Sequence, residues 1–403
     1  MSAPWLSILG IGEGGIDGLT PPARALLSQA RFVIGGARHL RLAAPLITGE
    51  TAVWPQPFSG GMAEIAAHRP GPVVVLASGD PFCYGVGTSI AKHFAAEDWR
   101  CLPAPSCLSL ACAALGWALQ TLETISFCGR PIEPLAAMLR PGRQILALSE
   151  DAETPGKVAR FLCAHGFGAS EIVLLEALGG PEQRIRRGTA AGFDLADPHA
   201  LNLLAITLAA DAGFASLPLA SGLPDDAFAH DGQLTKREIR AVTLSALAPR
   251  AGELLWDIGT GSGSIAIEWL RLHPSLRAIA IERRTDRLAR AIENAQRLGV
   301  LHLQTVEGAA PAVLEGLPAP DAIFIGGGAQ AAGVIDAAWS ALRPGGRIVV
   351  NSVTIETDAA LFAANRRLGG TLTRIGVERL TDIGGLHGFR PAMTITQWTA
   401  SKP

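Results

Sequence analysis

No stretch of the 403-residue chain sustains the Leu, Ile, Val and Phe content that a membrane helix of about 20 residues needs. The longest segment without charge runs between Arg100 and Glu123. It is rich in Ala, Ser and Cys and holds Pro103 and Pro105, so a buried loop and helix are expected there. No basic residue precedes Arg24, and without the layout of a signal peptide a cytoplasmic protein is expected. Cysteine is sparse and unpatterned. Cys83, Cys101, Cys107, Cys112, Cys128 and Cys163 include no CxxC pair and no zinc-type spacing, which predicts reduced, mostly buried thiols and no metal. An excess of one charge is missing too. Lys plus Arg is 34 against 36 for Asp plus Glu, a formal net charge of -2, which argues against a general affinity for nucleic acid or an anionic membrane. Lysine is nearly absent, since arginine supplies 30 of the 34 basic residues. The arginine fork suits carboxylates and phosphates, although a GC-rich genome produces the same bias.

Hydrophobic residues make up 48% of the chain and charged residues 17%, a composition that supports packed cores and excludes wholesale disorder. At roughly 100 to 200 residues per domain, two domains are expected. Two glycine-rich strand ends stand far apart, Leu6 to Gly15 and Leu254 to Gly263, and each reads as the first strand of its own α/β unit. Between them, Phe214 to Asp226 has the Pro, Gly and Ser content of a linker, so the domains are placed at 1–215 and 221–403. In the first, apolar runs at 6–11, 31–35, 72–77, 144–148, 171–175 and 201–208 alternate with helical segments. A largely parallel sheet is expected, with hairpins added over 171–190. Thr20 before Pro21 reads as a helix start. In the second, the pattern predicts helices over 236–247, 264–273 and 285–298. Strands are expected over 253–258, 277–281, 303–306, 321–325, 346–351, 371–378 and 392–398, a complete doubly wound domain. Thr235 and Glu238 have capping-box spacing at its first helix.

Asp257, Gly259, Gly261 and Gly263, with Thr260 and Ser262 between them, form DxGxGxG where a strand gives way to a helix. Backbone without side chains lets a ligand approach closely there. Glu282 ends the next strand, and its carboxylate can accept hydrogen bonds from both hydroxyls of a ribose. The constellation is a nucleoside pocket. A dinucleotide favours GxGxxG, whereas the acid before a GxGxG turn and the later Leu342 to Val349 segment resemble class I methyltransferases, which points to S-adenosyl-L-methionine. Gly308 and Ala309 follow the third strand, where such enzymes line the adenine, and Ala309 stands where many carry an acid. In the first half, Gly10, Gly12, Gly14 and Gly15 form a second glycine turn. Ile16 to Thr20 separate it from the helix, and the second strand ends in Gly35-Gly36 rather than an acid, so a nicotinamide site is disfavoured.

These first-half glycines, with Leu19-Thr20, Gly35 to Leu40, Ala77 to Pro81 and Pro105-Ser106, resemble the tetrapyrrole methylases, the class III methyltransferases, in the branch that acts on precorrin-6Y. Asp231 to Arg240, the 256–263 segment and Gly326-Gly327-Gly328 resemble the decarboxylating methyltransferases that partner that branch. The implied fold is α/β, a tetrapyrrole methylase domain followed by a Rossmann-like class I domain. The implied function is a bifunctional enzyme of cobalamin biosynthesis. Its first domain would methylate carbon 5; its second would methylate carbon 15 and remove carbon dioxide from the ring C acetate, giving precorrin-8. Two sites for S-adenosyl-L-methionine are implied. Gly10, Gly12, Gly14, Ser78, Gly79, Asp80, Pro81, Pro105 and Ser106 would hold the first donor. Thr235, the turn from Gly259 to Gly263, Glu282 and Ala309 would hold the second. Where relatives read His-Gly-Arg this chain has Cys128-Gly129-Arg130, and Cys107 replaces a common serine, so a catalytic role for that histidine does not carry over.

Precorrins bear many acetates and propionates, which call for arginines in bidentate reach. Arg38 and Arg130 are the candidates at the first site, and Arg237, Arg240 and Arg390 at the second. No catalytic base is named, because alignment of an enamine-like carbon with the donor and exclusion of water can contribute roughly 7 to 11 kcal/mol. The expected partner is a small tetrapyrrole, with self-association and without nucleic acid, membrane or metal. Two rival readings are a methyltransferase for RNA, protein or another small molecule with an accessory first domain, and a non-enzymatic sensor. The charge and the presence of Ile325 to Gly328 in place of an Asn-Pro-Pro-Tyr motif count against nucleobase amines.

Overall fold

The computed structural model describes residues 4–403. Two compact units emerge, one of residues up to Pro131 with Arg140–Phe214, the other of Ile132–Leu139 with Ala215–Pro403.

The first unit holds two sheets. Strands β1 (Leu6–Ile11), β2 (Phe32–Gly35), β3 (Glu50–Val53), β4 (Val73–Ser78) and β5 (Trp99–Leu102) form an all-parallel sheet in the order β3-β2-β4-β1-β5. Helices α1 (Pro21–Ser28), α2 (Ala37–Ala43), α3 (Gly60–Ala67) and α4 (Gly87–His93) connect them. Thr20 opens α1 as expected, accepting from the Ala23 amide at 3.4 Å with Pro21 in the first turn. Strand β1 is buried along its whole length because both faces are covered. Leu9 and Ile11 pack with Leu27 and Val33, while Ile8 packs with Ile34, Met62 and Ile65. The parallel register sets Gly10 opposite Ala77 and Ile11 opposite Ser78, so the turns after β1 and β4 leave the same carboxyl edge, where open α/β sheets bind ligands.

The second sheet combines β6 (Glu123–Ser126), β7 (Gln144–Leu148), β8 (Glu171–Glu176), β9 (Arg184–Thr189) and β10 (Asn202–Thr207) in the order β6-β7-β10-β8-β9. Only β6 and β7 run parallel. The unit is therefore half parallel and half mixed rather than one largely parallel sheet, since a short apolar run carries no information on strand direction. The hairpin foreseen over 171–190 is β8–β9. Helix α5 (Cys107–Leu115) lies in the uncharged segment as expected, capped by Ser106 Oγ, which accepts from the Ser109 amide at 3.0 Å. Helix α6 (Thr154–Ala164) packs Val158 and Leu162 inward.

The second unit has β11 (Leu254–Ile258), β12 (Arg277–Glu282), β13 (Gln304–Glu307), β14 (Ala322–Ile325), β15 (Arg347–Ser352), β16 (Thr371–Ile375) and, last in the chain, Ile395–Ser401. Before that last strand come β17 (Glu378–Ile383) and β18 (Leu386–Pro391), a separate two-stranded ribbon, so the last strand is β19. The sheet order is β13-β12-β11-β14-β15-β19-β16, parallel up to β15, with β19 antiparallel to both of its neighbours. Helices α7 (Arg237–Leu247), α8 (Ser264–Leu272), α9 (Thr285–Arg297), α10 (Val334–Ala341) and α11 (Ile355–Leu368) flank it. Trp256, Trp269 and Trp398 are wholly buried.

Two expectations need correction. The capping box is not formed: the N-cap of α7 is Lys236 with no side-chain cap bond, and Glu238 instead pairs with Arg379 on the ribbon. The thiols are free, but only Cys112 is buried, while Cys128 and Cys163 are exposed. Small thiols tolerate either setting, and these two lie on a turn and on the outer side of α6.

Candidate functional site

In the first unit, the end of β1 and the turns after β4 and β5 meet as bare backbone. A Cβ on Gly10 would lie 1.8 Å from the Gly79 carbonyl oxygen and 2.5 Å from the Ala104 amide nitrogen. Gly79 itself has φ +51°, and its Cβ would sit 2.6 Å from the Pro105 oxygen. The end of β1 and the turns after β4 and β5 thus touch at Gly10, Gly79 and Pro105-Ser106, and only glycine admits that approach. Gly12 faces open space. Asp80 closes its own turn, with Oδ1 accepting from the Phe82 amide at 2.9 Å.

Beside these turns, Ser78 Oγ lies 2.8 Å from Arg38 Nη2 and 2.8 Å from His39 Nε2. Arg38 is paired with Glu13 from the turn after β1, so this arginine, expected to meet a substrate carboxylate, already has its charge compensated. Burial, and then the charge of Arg38, lowers the His39 imidazole to about 4. A cavity of about 740 Å³ opens next to it, walled by Trp54, Phe58, Phe82 and Tyr84, with His39 and Arg130 supplying polarity. Arg130 is exposed and lies over the Tyr84 ring, 5.6 Å from its centroid, where its fork remains free to turn toward an acid. The aromatic wall was not foreseen from the sequence, because its members come from separate loops and follow no period.

In the second unit, the turn between β11 and α8 carries the glycines. Gly259 has φ +72°, and a Cβ there would lie 2.8 Å from the Gly327 oxygen, so Ile325 to Gly328 after β14 packs directly on this turn. Asp257 is buried at the end of β11. Its Oδ2 accepts from Thr260 Oγ1 at 2.7 Å and from the Ala266 amide at 3.1 Å, while Oδ1 is buried without a partner. Burial pushes this carboxyl up to about 6, against the pull of Thr260 and Ala266. Glu282 ends β12 with Oε2 accepting from the Gly261 amide and Oε1 from the Arg284 amide, each at 3.1 Å. The Gly308 amide donates to the Glu282 carbonyl oxygen at 2.9 Å, which ties the Gly308-Ala309 turn to the same edge. Ser262 is buried, and its carbonyl accepts from Asn294 Nδ2. An orphan acidic oxygen beside a side-chain-free turn, with a second carboxylate one strand away, suits a nucleoside that carries a cation.

The second-site arginines separate. Arg240 is wholly buried. Its Nε donates to Glu268 Oε1 at 2.8 Å, Nη1 to Asp225 Oδ1 at 2.8 Å and to the Thr235 carbonyl, and Nη2 to the Leu223 carbonyl. It is corrected from a substrate ligand to the clasp of the 222–225 segment, and Thr235 takes part through its carbonyl. Arg237 and Arg390 are exposed, the first opening α7 and the second on β18 opposite Arg379. Among the described residues no group of three or more His, Cys, Asp or Glu is arranged to hold a metal ion. None of the described helices is long and apolar enough to cross a membrane.

Residues 6–194 match the family described as Tetrapyrrole (Corrin/Porphyrin) Methylases, and residues 226–402 match a Precorrin methyltransferase domain. Over 400 residues the chain is 52% identical to precorrin-6Y C(5,15)-methyltransferase (decarboxylating) of a Sinorhizobium species, covering 99% of this chain and 97% of that one. It is 36% identical over 154 residues to the probable cobalt-precorrin-6B C(15)-methyltransferase (decarboxylating) of Saccharolobus solfataricus, covering 37% of this chain and 77% of that one. It is 32% identical over 180 residues to cobalt-precorrin-7 C(5)-methyltransferase of Salmonella typhimurium, covering 45% of this chain and 88% of that one.

Proposed function

Because the chain belongs to the precorrin-6Y C5,15-methyltransferase (decarboxylating) family, we propose that its two units carry out successive reactions on one tetrapyrrole. The first methylates carbon 5; the second methylates carbon 15 and releases carbon dioxide from the ring C acetate, yielding precorrin-8. The observation that carries this reading is the whole-length similarity to an enzyme named for both positions, together with shorter relatives named for carbon 5 and carbon 15 singly.

Enzymes of this family are S-adenosyl-L-methionine-dependent, and we assign one donor site to each unit. The donor supplies a methyl group on a sulfonium. In the second unit, Asp257 Oδ1 has no partner and suits the donor's ammonium, while the lone pairs left on Glu282 suit ribose hydroxyls. Backbone at Gly259, Thr260, Gly261, Ser262 and Gly263 passes under the ligand, and Gly308-Ala309 borders the adenine. In the first unit Gly10, Gly12, Gly14, the turn from Ser78 to Pro81 and Pro105-Ser106 play the corresponding part. The residues align donor and acceptor and exclude water. The aromatic walls of the cavity suit a flat macrocycle, and Arg130 suits one of its acidic side chains. Arg237 and Arg390 serve the second site in the same way. Loss of carbon dioxide leaves electrons that the conjugated imine system accepts.

This reading places the enzyme in the cytoplasm, acting on a small molecule and not on nucleic acid or membrane, which the formal charge of -2 supports. Self-association is part of the proposal, supported by the exposed Leu386 and Phe389 of the ribbon. Calorimetric titration of the full chain with S-adenosyl-L-methionine tests the site count. Two donor equivalents per chain are expected, falling to one in Glu282→Ala; a single equivalent in the unaltered chain contradicts the proposal.

A further inference from the structure

We infer that His39, paired with Ser78, accepts the proton that the first unit must remove from the carbon it methylates; this deepens the carbon 5 reading and rests on it. When a ring carbon that bears hydrogen attacks the donor, the sulfur–methyl bond breaks and its electron pair stays on sulfur. The new carbon–carbon bond consumes a π pair of the ring. The product is a cation whose methylated carbon still holds its hydrogen. Breaking that C–H bond returns an electron pair to the π system, and the proton needs an acceptor.

The cavity offers few. Arg130 has donors only. Burial pushes the Cys83 thiol up, so it is not ionised at neutral pH. The Tyr84 hydroxyl is engaged with Thr124 Oγ1 at 2.9 Å. His39 lines the cavity, and its Nε2 lies 3.0 Å from Arg38 Nη2. A guanidinium can only donate, so Nε2 accepts with its lone pair, which places the ring hydrogen on Nδ1, a buried atom without a partner. The same Arg38 nitrogen donates to Ser78 Oγ at 2.8 Å, which turns the Ser78 hydrogen toward Nε2, 2.8 Å away.

The result is a hydroxyl and a neutral imidazole at the boundary between two compartments, the Nε2 lone pair being shared by the Ser78 hydroxyl and Arg38. His39 lines the cavity, and Ser78 begins the turn that meets Gly10 and Pro105. Of the charged groups, Arg38 on the same helix contacts the ring, Glu13 from the turn after β1 pairs with Arg38, and Arg130 lines the same cavity. Burial, and then the charge of Arg38, keeps the imidazole unprotonated at neutral pH and ready to receive. A weak base is sufficient, because losing the proton restores conjugation. Ser78 Oγ takes the proton as its own passes to Nε2, and the imidazolium returns it to water when product leaves.

Two measurements on the full chain test this. In spectra of protein carrying ¹⁵N-labelled histidine, His39 is expected as the neutral Nδ1–H tautomer at neutral pH; an Nε2–H tautomer or a cation overturns the inference. His39→Gln keeps an acceptor for Arg38 but cannot take up a proton. It is expected to retain donor affinity and to slow carbon 5 methylation by about a hundredfold, with a primary isotope effect when carbon 5 carries deuterium. Ser78→Ala is expected to show the isotope effect as well, which guards against a folding defect in the first variant. An unchanged rate without an isotope effect in both variants overturns the role of His39 alone. An unaltered chain that leaves carbon 5 unmethylated overturns the carbon 5 reading with it.

Discussion

Replacing Arg240 by alanine is expected to cost the second unit about 3 to 5 kcal/mol of stability, the range for removing one partner of a buried ion pair. Glu268 has a side chain only 2% exposed, and without the guanidinium its charge has no compensation inside the protein. The same loss frees the Leu223 and Thr235 carbonyls and leaves Asp225 with Lys236, whose Nζ lies 3.7 Å from Oδ2. Glu268 also accepts from the Gly222 amide at 2.6 Å and the Leu223 amide at 3.0 Å, so the linker segment loosens with it. The double variant Arg240→Met, Glu268→Leu is expected to lose less, because no charge is left buried, although those two amides lose their acceptor. Urea unfolding of the full chain reads both variants. An unchanged unfolding midpoint in Arg240→Ala contradicts the assignment and returns Arg240 to the substrate candidates.

A valine at Gly259 is expected to lower carbon 15 methylation and decarboxylation by about a hundredfold, the scale of loss that a misplacement of about 1 Å produces. The residue has φ +72°, and its Cβ would lie 2.8 Å from the Gly327 oxygen and 2.9 Å from the Gly327 nitrogen. Both contacts are with backbone, which cannot swing aside, so the turn after β11 and the turn after β14 must separate. In a left-handed conformation the side chain itself adds roughly 1 to 2 kcal/mol. Carbon 5 methylation, performed by the other unit and assayed on a substrate already methylated and decarboxylated at carbon 15, is expected to stay within about twofold, within the usual range for an independent site. Equal loss of both methylations would show that the two sites do not act separately.

The parts of the fold that were legible from sequence are those where burial leaves a continuous apolar run. Strands β1, β4, β11, β12 and β14 are covered on both faces and read as unbroken hydrophobic segments, with glycine turns directly after β1 and β11. The strands that escaped notice, β3, β5 and β6, are sheet edges with few buried residues. An edge strand needs no apolar period. The β17–β18 ribbon escaped for a related reason, since Leu380, Ile383, Leu386 and Phe389 are exposed and no buried face imposes a period on it. At the sites, Asp257 and Glu282 were legible because a turn motif fixes their place relative to the glycines. Arg240 was misread because helix position alone does not reveal a buried carboxylate from another helix, here Glu268. Glu13, His39 and the cavity wall depend on contacts among four loops, which no local pattern records.

Two chemistries reside in one chain, and mass spectrometry of precorrin-6Y incubated with the purified full-length protein and S-adenosyl-L-methionine tests that directly. A product that has gained two methyl groups and lost one carbon dioxide is the predicted result, with Gly259→Val yielding little of it. A product with a single methyl group from the unaltered chain, or two methyl groups with every carboxylate retained, would contradict it.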